Sequence, residues 1–404
     1  MNRKIRSLIA SAVQAAMSMI SVMQTVLLRS LVSIPRPIVK DRLQRILIVR
    51  LDELGDLVMT LPLIQALKAG LPDAELTLLV NQSVVGIVEG MTGLRVIGVP
   101  VACNKWIRPF VLPFRHYGFV RRELRDKEFD ICLLPRRDAD DVCATILAYF
   151  TRSSRRMSFT ERSTPRKLAT NRSYDSLLTD VLPVPKLQHE TLTNLSMLTA
   201  IGLPFSSYDQ LLPLPASAVQ FAEQMLPEAP TSYVAICPTS GHSALKQWGV
   251  ERFAEVAGRL AASGRTIILL GSSADASMGQ VIEAACKDRC VNMIGKTSLV
   301  QMAALLNRCT AFLGNDAGPM HVASALGIAT VGILGSSCWH QFGPWGPRHT
   351  VLVREIACSP CVKHLKNRCD VCVHGSPLCL YQISPSEVFQ SVQAALMPLP
   401  RSLR

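Results

Sequence analysis

Two copies of one local pattern restrict what this chain can fold into. In each, short apolar runs end in polar turns that lead into helical patterns. ILIVRL (46–51) is followed by the turn Asp52–Asp56 and a helical pattern closing at Gly70. Glu75–Val80 and FDICLLP (129–135) are further strands. The pattern breaks at a stretch carrying Pro204, Pro213, Pro215, Pro227 and Pro230, then restarts. SYVAIC (232–237), TIILL (266–270), TAFLG (310–314) and ATVGILG (329–335) are strands. Val250–Ala262 and 319–326 are helices between them. Strands alternating with helices predict an α/β protein with parallel sheets flanked by helices. Two such halves leave a cleft between them, and ligands in these sheets bind at the carboxyl ends of strands.

The boundaries expected are an amphipathic helical extension at 1–44, a first domain at 45–203 and a linker at 204–230. A second domain follows at 231–384, then a C-terminal helix and tail at 385–404. With 49% hydrophobic and 18% charged residues in 404, a disordered or collagen-like chain is excluded. No G-x-G-x-x-G follows a strand, which argues against a nicotinamide or flavin site, and no P-loop motif is present.

The net charge of +13 sits in two places. Residues 1–45 carry +7 and residues 151–173 carry +6 (Arg152, Arg155, Arg156, Arg162, Arg166, Lys167 and Arg172 against Glu161). Each is a candidate contact for something anionic. Nucleic acid is not expected, because the basic segments lack interleaved aromatics. In the extension, Ser7 to Leu28 holds no charge. Ser7, Ser11, Gln14, Ser18, Ser21 and Thr25 form one polar stripe, opposite Leu8, Ile9, Val13, Met17, Ile20, Met23 and Leu27. Such a helix is expected to lie flat on an anionic leaflet. A spanning helix, a docking helix and a signal sequence are the alternatives.

Three loops are placed for chemistry. Asp56, after the first strand, is either a base for a hydroxyl proton or a helix-capping residue. Thr239 and Ser240, with Gly241 and Lys246 nearby, suit a phosphate; the alternative is a capped loop with a solvent-facing lysine. In Gly314–His321, Pro319 fits the first turn of a helix. The helix amides there suit an anion and Asp316 suits sugar hydroxyls, while His321 is a ligand contact or a packed core residue. The D-x-D of Asp138 and Asp140, with Asp141 next, is read as a solvated loop paired to Arg136 and Arg137 rather than a metal site. Thirteen cysteines, an odd number, point to a reducing compartment. Five of them read Cys358-x2-Cys361-x7-Cys369-x2-Cys372-x6-Cys379. The two C-x2-C pairs are zinc-like; the alternatives are disulfides or free thiols.

Five ordered stretches resemble glycosyltransferase family 9, which includes the ADP-heptose:lipopolysaccharide heptosyltransferases. They are ILIVRLDELGDLVMTLPLIQALKAGLPDAELTLLV, PTSGHSALKQWGVERFAEVAGRL, IILLGSSADA, IGKTSLVQMAALL and FLGNDAGPMHVASALGIATVGILG. The ending C-S-P-C…C…C-L-Y-Q-I-S-P-S-E-V is similar to that of many members. The likeness runs from about residue 45 to 395 and leaves 1–44 outside.

The resemblance implies a GT-B fold, two Rossmann-like domains facing across a cleft, with the last helix often returning to the first domain. It implies inverting, metal-independent transfer from a nucleotide-diphospho-sugar, with no cofactor required. By likeness Asp56 is the base, Lys246 contacts the donor phosphates, and Asp316, Ala317, Gly318 and His321 hold phosphate and sugar. Asp275 falls near the ribose, where Glu is commoner, and Thr297 at the base edge. The expected acceptor is an anionic lipopolysaccharide core or other glycolipid, with the enzyme peripheral on the cytoplasmic face of the inner membrane. Transfer of another sugar into a surface polysaccharide, or an inactive glycan- or lipid-binding scaffold, are the alternatives.

Overall fold

The computed structural model describes residues 3–31 and 43–397, apart from 105, 126, 184–185, 205–211, 227–231, 242 and 362–371. Strands β1 (Arg45–Arg50), β2 (Glu75–Asn81), β3 (Arg95–Val99), β4 (Ile131–Leu134), β5 (Arg155–Phe159) and β6 (Asp180–Leu182) form one sheet. Strands β7 (Tyr233–Cys237), β8 (Thr266–Leu269), β9 (Cys290–Asn292), β10 (Ala311–Asn315), β11 (Ala329–Ile333) and β12 (His349–Leu352) form a second. Both are wholly parallel. The orders are β3-β2-β1-β4-β5-β6 and β12-β11-β10-β7-β8-β9. They are the same winding twice, reversing direction between β1 and β4 and between β7 and β10.

That reversal positions the site. Chains leaving two neighbouring strands toward opposite faces open a crevice at the strand ends. Asp56 follows β1, and Asp138 follows β4. Lys246 follows β7, and Asp316 follows β10. The strands read as near-continuous apolar runs because helices cover both faces, so Ile46, Leu47 and Ile48 are all fully buried. The two lobes are the Rossmann-like pair of a GT-B fold.

The lobes share apolar contacts. Leu54, Leu57, Met302 and Met320 belong to one continuous core. The helix Leu54–Val58 packs on the helix Gly318–Ala325 across the seam. Two departures from the sequence reading stand out. The expected linker holds a helix, Ala216–Met225, packed on the second-lobe helix Leu299–Asn307. The last helix, Pro385–Ala395, packs on Val250–Ala262 and on β10–β12, so it stays with the second lobe. Trp248 draws it there, donating its indole N–H to the Ile383 carbonyl at 3.0 Å.

The N-terminal helix, Arg3–Leu31, is amphipathic as expected, but its polar stripe faces inward. Ser21 Oγ donates to the Arg172 carbonyl at 2.8 Å, and Ser21 and Thr25 are buried. Met23 and Leu27 are exposed.

Burial pushes the imidazole pKa down at His116, His189, His321 and His349, to about 4 at His189 and His349. Each folded value lies below the unfolded one near 6.5, so the unfolded chain takes up more protons as pH falls. The stabilisation is therefore complete above pH ~6.5 and lost on acidification toward pH 4. The melting temperature should drop between pH 7 and pH 5, with about 2 kcal/mol lost at each of His189 and His349. A calorimetric scan giving equal midpoints at the two pH values would contradict this.

Candidate active site

Arg50 closes β1 and is buried. A buried guanidinium needs several acceptors. Its Nε lies 3.2 Å from Asp52 Oδ2, and its Nη2 lies 3.0 Å from Asp56 Oδ1 and 3.7 Å from Glu190 Oε1. Asp52 is also held by Arg136. Asp56 is thus oriented by a fixed cation while its side chain keeps 32% exposure, open to a ligand. Glu190, at the start of the helix Glu190–Leu195, is buried and its carboxyl is pushed above the usual range by burial, against the pull of Arg50. Its Oε2 accepts from Gln341 Nε2 of the other lobe at 3.2 Å. Beside it, His189 Nε2 is hydrogen-bonded to the Gly343 carbonyl at 2.8 Å.

The second lobe supplies the opposite wall. Lys246 Nζ lies 2.7 Å from Asp316 Oδ2, with Asp316 buried and the lysine side chain 30% exposed. Burial would raise the Asp316 carboxyl, but Lys246, then Ser337 and His321, hold it below the usual range. Asn315 ties the two loops together. It donates to the Pro238 carbonyl at 2.6 Å and accepts from the Trp248 amide at 3.3 Å. His321 is buried with no partner on Nδ1.

The walls touch where two residues lack side chains. A Cβ on Gly55 would stand 2.6 Å from His321 Cδ2. One on Gly318 would stand 2.9 Å from Leu54 Cβ. Close approach of the loop after β1 to the helix after β10 therefore requires both glycines. It brings Asp56 near enough to His321 to favour the imidazolium, though burial outweighs that effect.

Other expected residues fall as follows. Ser240 is buried and donates to the Ser243 carbonyl at 3.1 Å, while the Thr239 hydroxyl accepts from the Gly241 amide at 3.4 Å. Asp275 spends Oδ2 on the amide and hydroxyl of Ser272, at 2.8 and 2.7 Å, so it shapes its own loop. Thr297 is half-buried, next to the capping residue Ser298. Ala317 caps and Gly318 begins the helix after β10.

Of the D-x-D acids only Asp140 is buried, and Asp138 and Asp141, with side chains 47% and 35% exposed, do not pair with Arg136 or Arg137 as expected. Asp138 and Asp141 both pair with Arg166. Asp140 is buried and accepts from the amides of Ala144 and Thr145 at 2.9 and 2.7 Å, capping a helix. Arg166 is thereby spent on structure, as are three other cations of segment 151–173. Arg155 pairs with Asp180 at 2.6 Å. Arg156 donates to the Leu177 and Ser153 carbonyls. Lys167 is buried, donates to the Arg136 and Phe159 carbonyls, and has its pKa pushed down to about 8 by burial. Arg152, Arg162 and Arg172 remain exposed. In its place the fold offers Arg137, whose Nε and Nη1 are buried without a hydrogen-bond partner and whose charge reaches Glu190.

Cys358, Cys361, Cys372, Cys379 and His374 line one cavity in the second lobe, with Cys358 Sγ 3.4 Å from His374 Nε2. Among the described residues no three potential ligands are grouped to hold a metal ion, and Cys369 lies outside them. The zinc expectation thus finds no ligand set among the described residues, and part of its cysteine run falls outside them.

Two doubly wound lobes, with a carboxylate on one wall and a cation and helix start on the other, have the architecture of the GT-B class. The model of glycosyltransferase family 9 (heptosyltransferase) matches residues 118–370, and the chain belongs to that family. The chain is 26% identical to lipooligosaccharide heptosyltransferase 2 of Campylobacter jejuni over 165 residues, 40% of this chain and 50% of that protein. It spans between about a third and a half of the length of the first curated relatives it matches. It is 24% identical to lipopolysaccharide heptosyltransferase 1 of Pseudomonas aeruginosa over 373 residues, 89% of this chain and 100% of that one. The structure of Escherichia coli heptosyltransferase WaaC with ADP superposes with a TM-score of 0.65 at 19% identity, covering 87% and 100% of the two chains.

Proposed function

We propose that the protein transfers heptose from ADP-heptose to the anionic core of a lipopolysaccharide or related glycolipid, with inversion. One observation carries the reading. Asp56 stands on one side of the seam, and Lys246, Asp316 and the start of the helix Gly318–Ala325 stand on the other. A sugar between them has its anomeric carbon addressed from two sides. Asp56 takes the acceptor hydroxyl proton while the new C–O bond forms. The bond from the anomeric carbon to the diphosphate oxygen breaks, and ADP leaves with its electron pair. A single displacement inverts the centre. Lys246 and the positive end of the helix Gly318–Ala325 stabilise charge growing on the leaving diphosphate.

The donor name follows the relatives above and the co-structure of WaaC with ADP. An anionic acceptor is supported by Arg137, whose Nε and Nη1 are buried without a hydrogen-bond partner, whose charge reaches Glu190, and whose guanidinium suits a carboxylate or phosphate. Mass spectrometry of the full chain with a panel of nucleotide-sugars and a purified lipopolysaccharide-core acceptor tests the reading. Heptose should add to the acceptor, with ADP released. Release from a different nucleotide-sugar alone would replace the donor, and no turnover of any would favour an inactive binding scaffold.

A further inference from the structure

Two apolar faces that transfer does not use lie side by side on the first lobe. One is the outer face of the N-terminal helix, where Met19, Met23, Val26 and Leu27 are each between 57 and 69% exposed. The other belongs to the helix Arg108–Glu123. There Phe110, Phe114 and Tyr117, with Ile107 just before, recur at helical spacing and are exposed, Phe114 by 80%. Trp106, 65% exposed, adds to its entry. The two faces are joined. Gln24 Nε2 donates to the Pro109 carbonyl, and Leu28 packs on the core that holds Leu112 and Phe119. On its helix Gln24 is flanked by Ile20 and Leu27, so the apolar outer face runs across the seam toward Phe110.

The rim of this face is basic. Among the described side chains the Arg3–Leu31 helix contributes Arg29 and no acid, and Arg108–Glu123 carries four arginines against Glu123, with Arg121 over the Tyr117 ring. Large exposed apolar side chains with Trp and Tyr among them, flanked by arginine, match a negatively charged lipid interface. The segment Ala12–Ser30 is long and apolar enough to span a membrane. However, its polar stripe is spent on the protein through Ser21 and Thr25, which lays the helix along the lobe.

We infer that the N-terminal helix and the Arg108–Glu123 helix together form one docking face that seats the enzyme on an anionic phospholipid leaflet, acceptor lobe downward. The inference deepens the functional reading, resting on it for a lipid-linked acceptor. The test is co-sedimentation of the full chain with vesicles of phosphatidylcholine alone or mixed with phosphatidylglycerol. Alongside it runs transfer to a short, lipid-free core oligosaccharide. The parent should bind only the phosphatidylglycerol vesicles, and less at high salt. The double variant Phe110→Gln, Phe114→Gln changes exposed side chains only, and should bind them about tenfold or more weakly with unchanged transfer to the soluble acceptor. Equal binding by parent and variant would overturn the inference. So would a parent that ignores vesicles, or one that is a dimer the variant dissociates. Vesicle binding with no transfer to any acceptor would instead sink the functional reading and leave the docking face standing.

Discussion

An Asp56→Asn protein is expected to turn over about 10²–10⁴-fold more slowly while binding ADP as tightly as the parent. The change keeps the side chain's size and one oxygen for Arg50, which lies 3.0 Å from Asp56 Oδ1, so the loop after β1 keeps its course. What is lost is the ability to take a proton from the acceptor hydroxyl. Single-turnover rates together with calorimetric titration of ADP separate the two quantities. Undiminished turnover would remove Asp56 from the role of base and leave it as a partner of Arg50.

Lys246→Ala is expected to weaken ADP binding and also to lower kcat by about 10²–10³-fold, because the cation acts on the charge that grows as ADP departs. A second effect follows from its partner. Asp316 is buried and held below the usual carboxylate range by Lys246 against the effect of burial. Without the lysine the burial effect prevails, the carboxyl pKa rises, and a neutral Asp316 appears at moderate acidity. Adding Asp316→Asn to Lys246→Ala should therefore restore melting temperature without restoring rate. Recovery of rate in the double variant would show that Lys246 serves structure alone.

Much of this site could be read from the chain before folding, and the reason is local. Asp56, Lys246 and Asp316 each follow a short apolar run, and the end of a parallel strand is where such a residue must emerge. The partners of these groups were not legible. Arg50 at the end of an apolar run was a signal of a buried cation. Nothing near it in sequence marks Glu190 as its acceptor, because that pairing is made by the packing of helix Glu190–Leu195 on the helix Leu61–Gly70. The D-x-D acids failed the same way. Arg136 and Arg137 were the near cations, but Arg166, 28 and 25 residues on, reached Asp138 and Asp141. The last helix stayed on its own lobe because Trp248 and Arg252 draw Ile383 inward by its carbonyl, a contact between residues more than 130 positions apart.

The inward-facing stripe of the N-terminal helix also changes what truncation means. Were this segment a loose tether, cutting the chain after Leu31 would only release the enzyme into solution. Here it is a keel. Removing it would strip the cover from the Arg172 carbonyl and from the apolar seat of Leu28, so a shortened protein gains a raw flank. Proteins that begin at residue 43 should therefore clump for reasons unrelated to lipid, whereas a solubilising tag ahead of Arg3 leaves the flank closed.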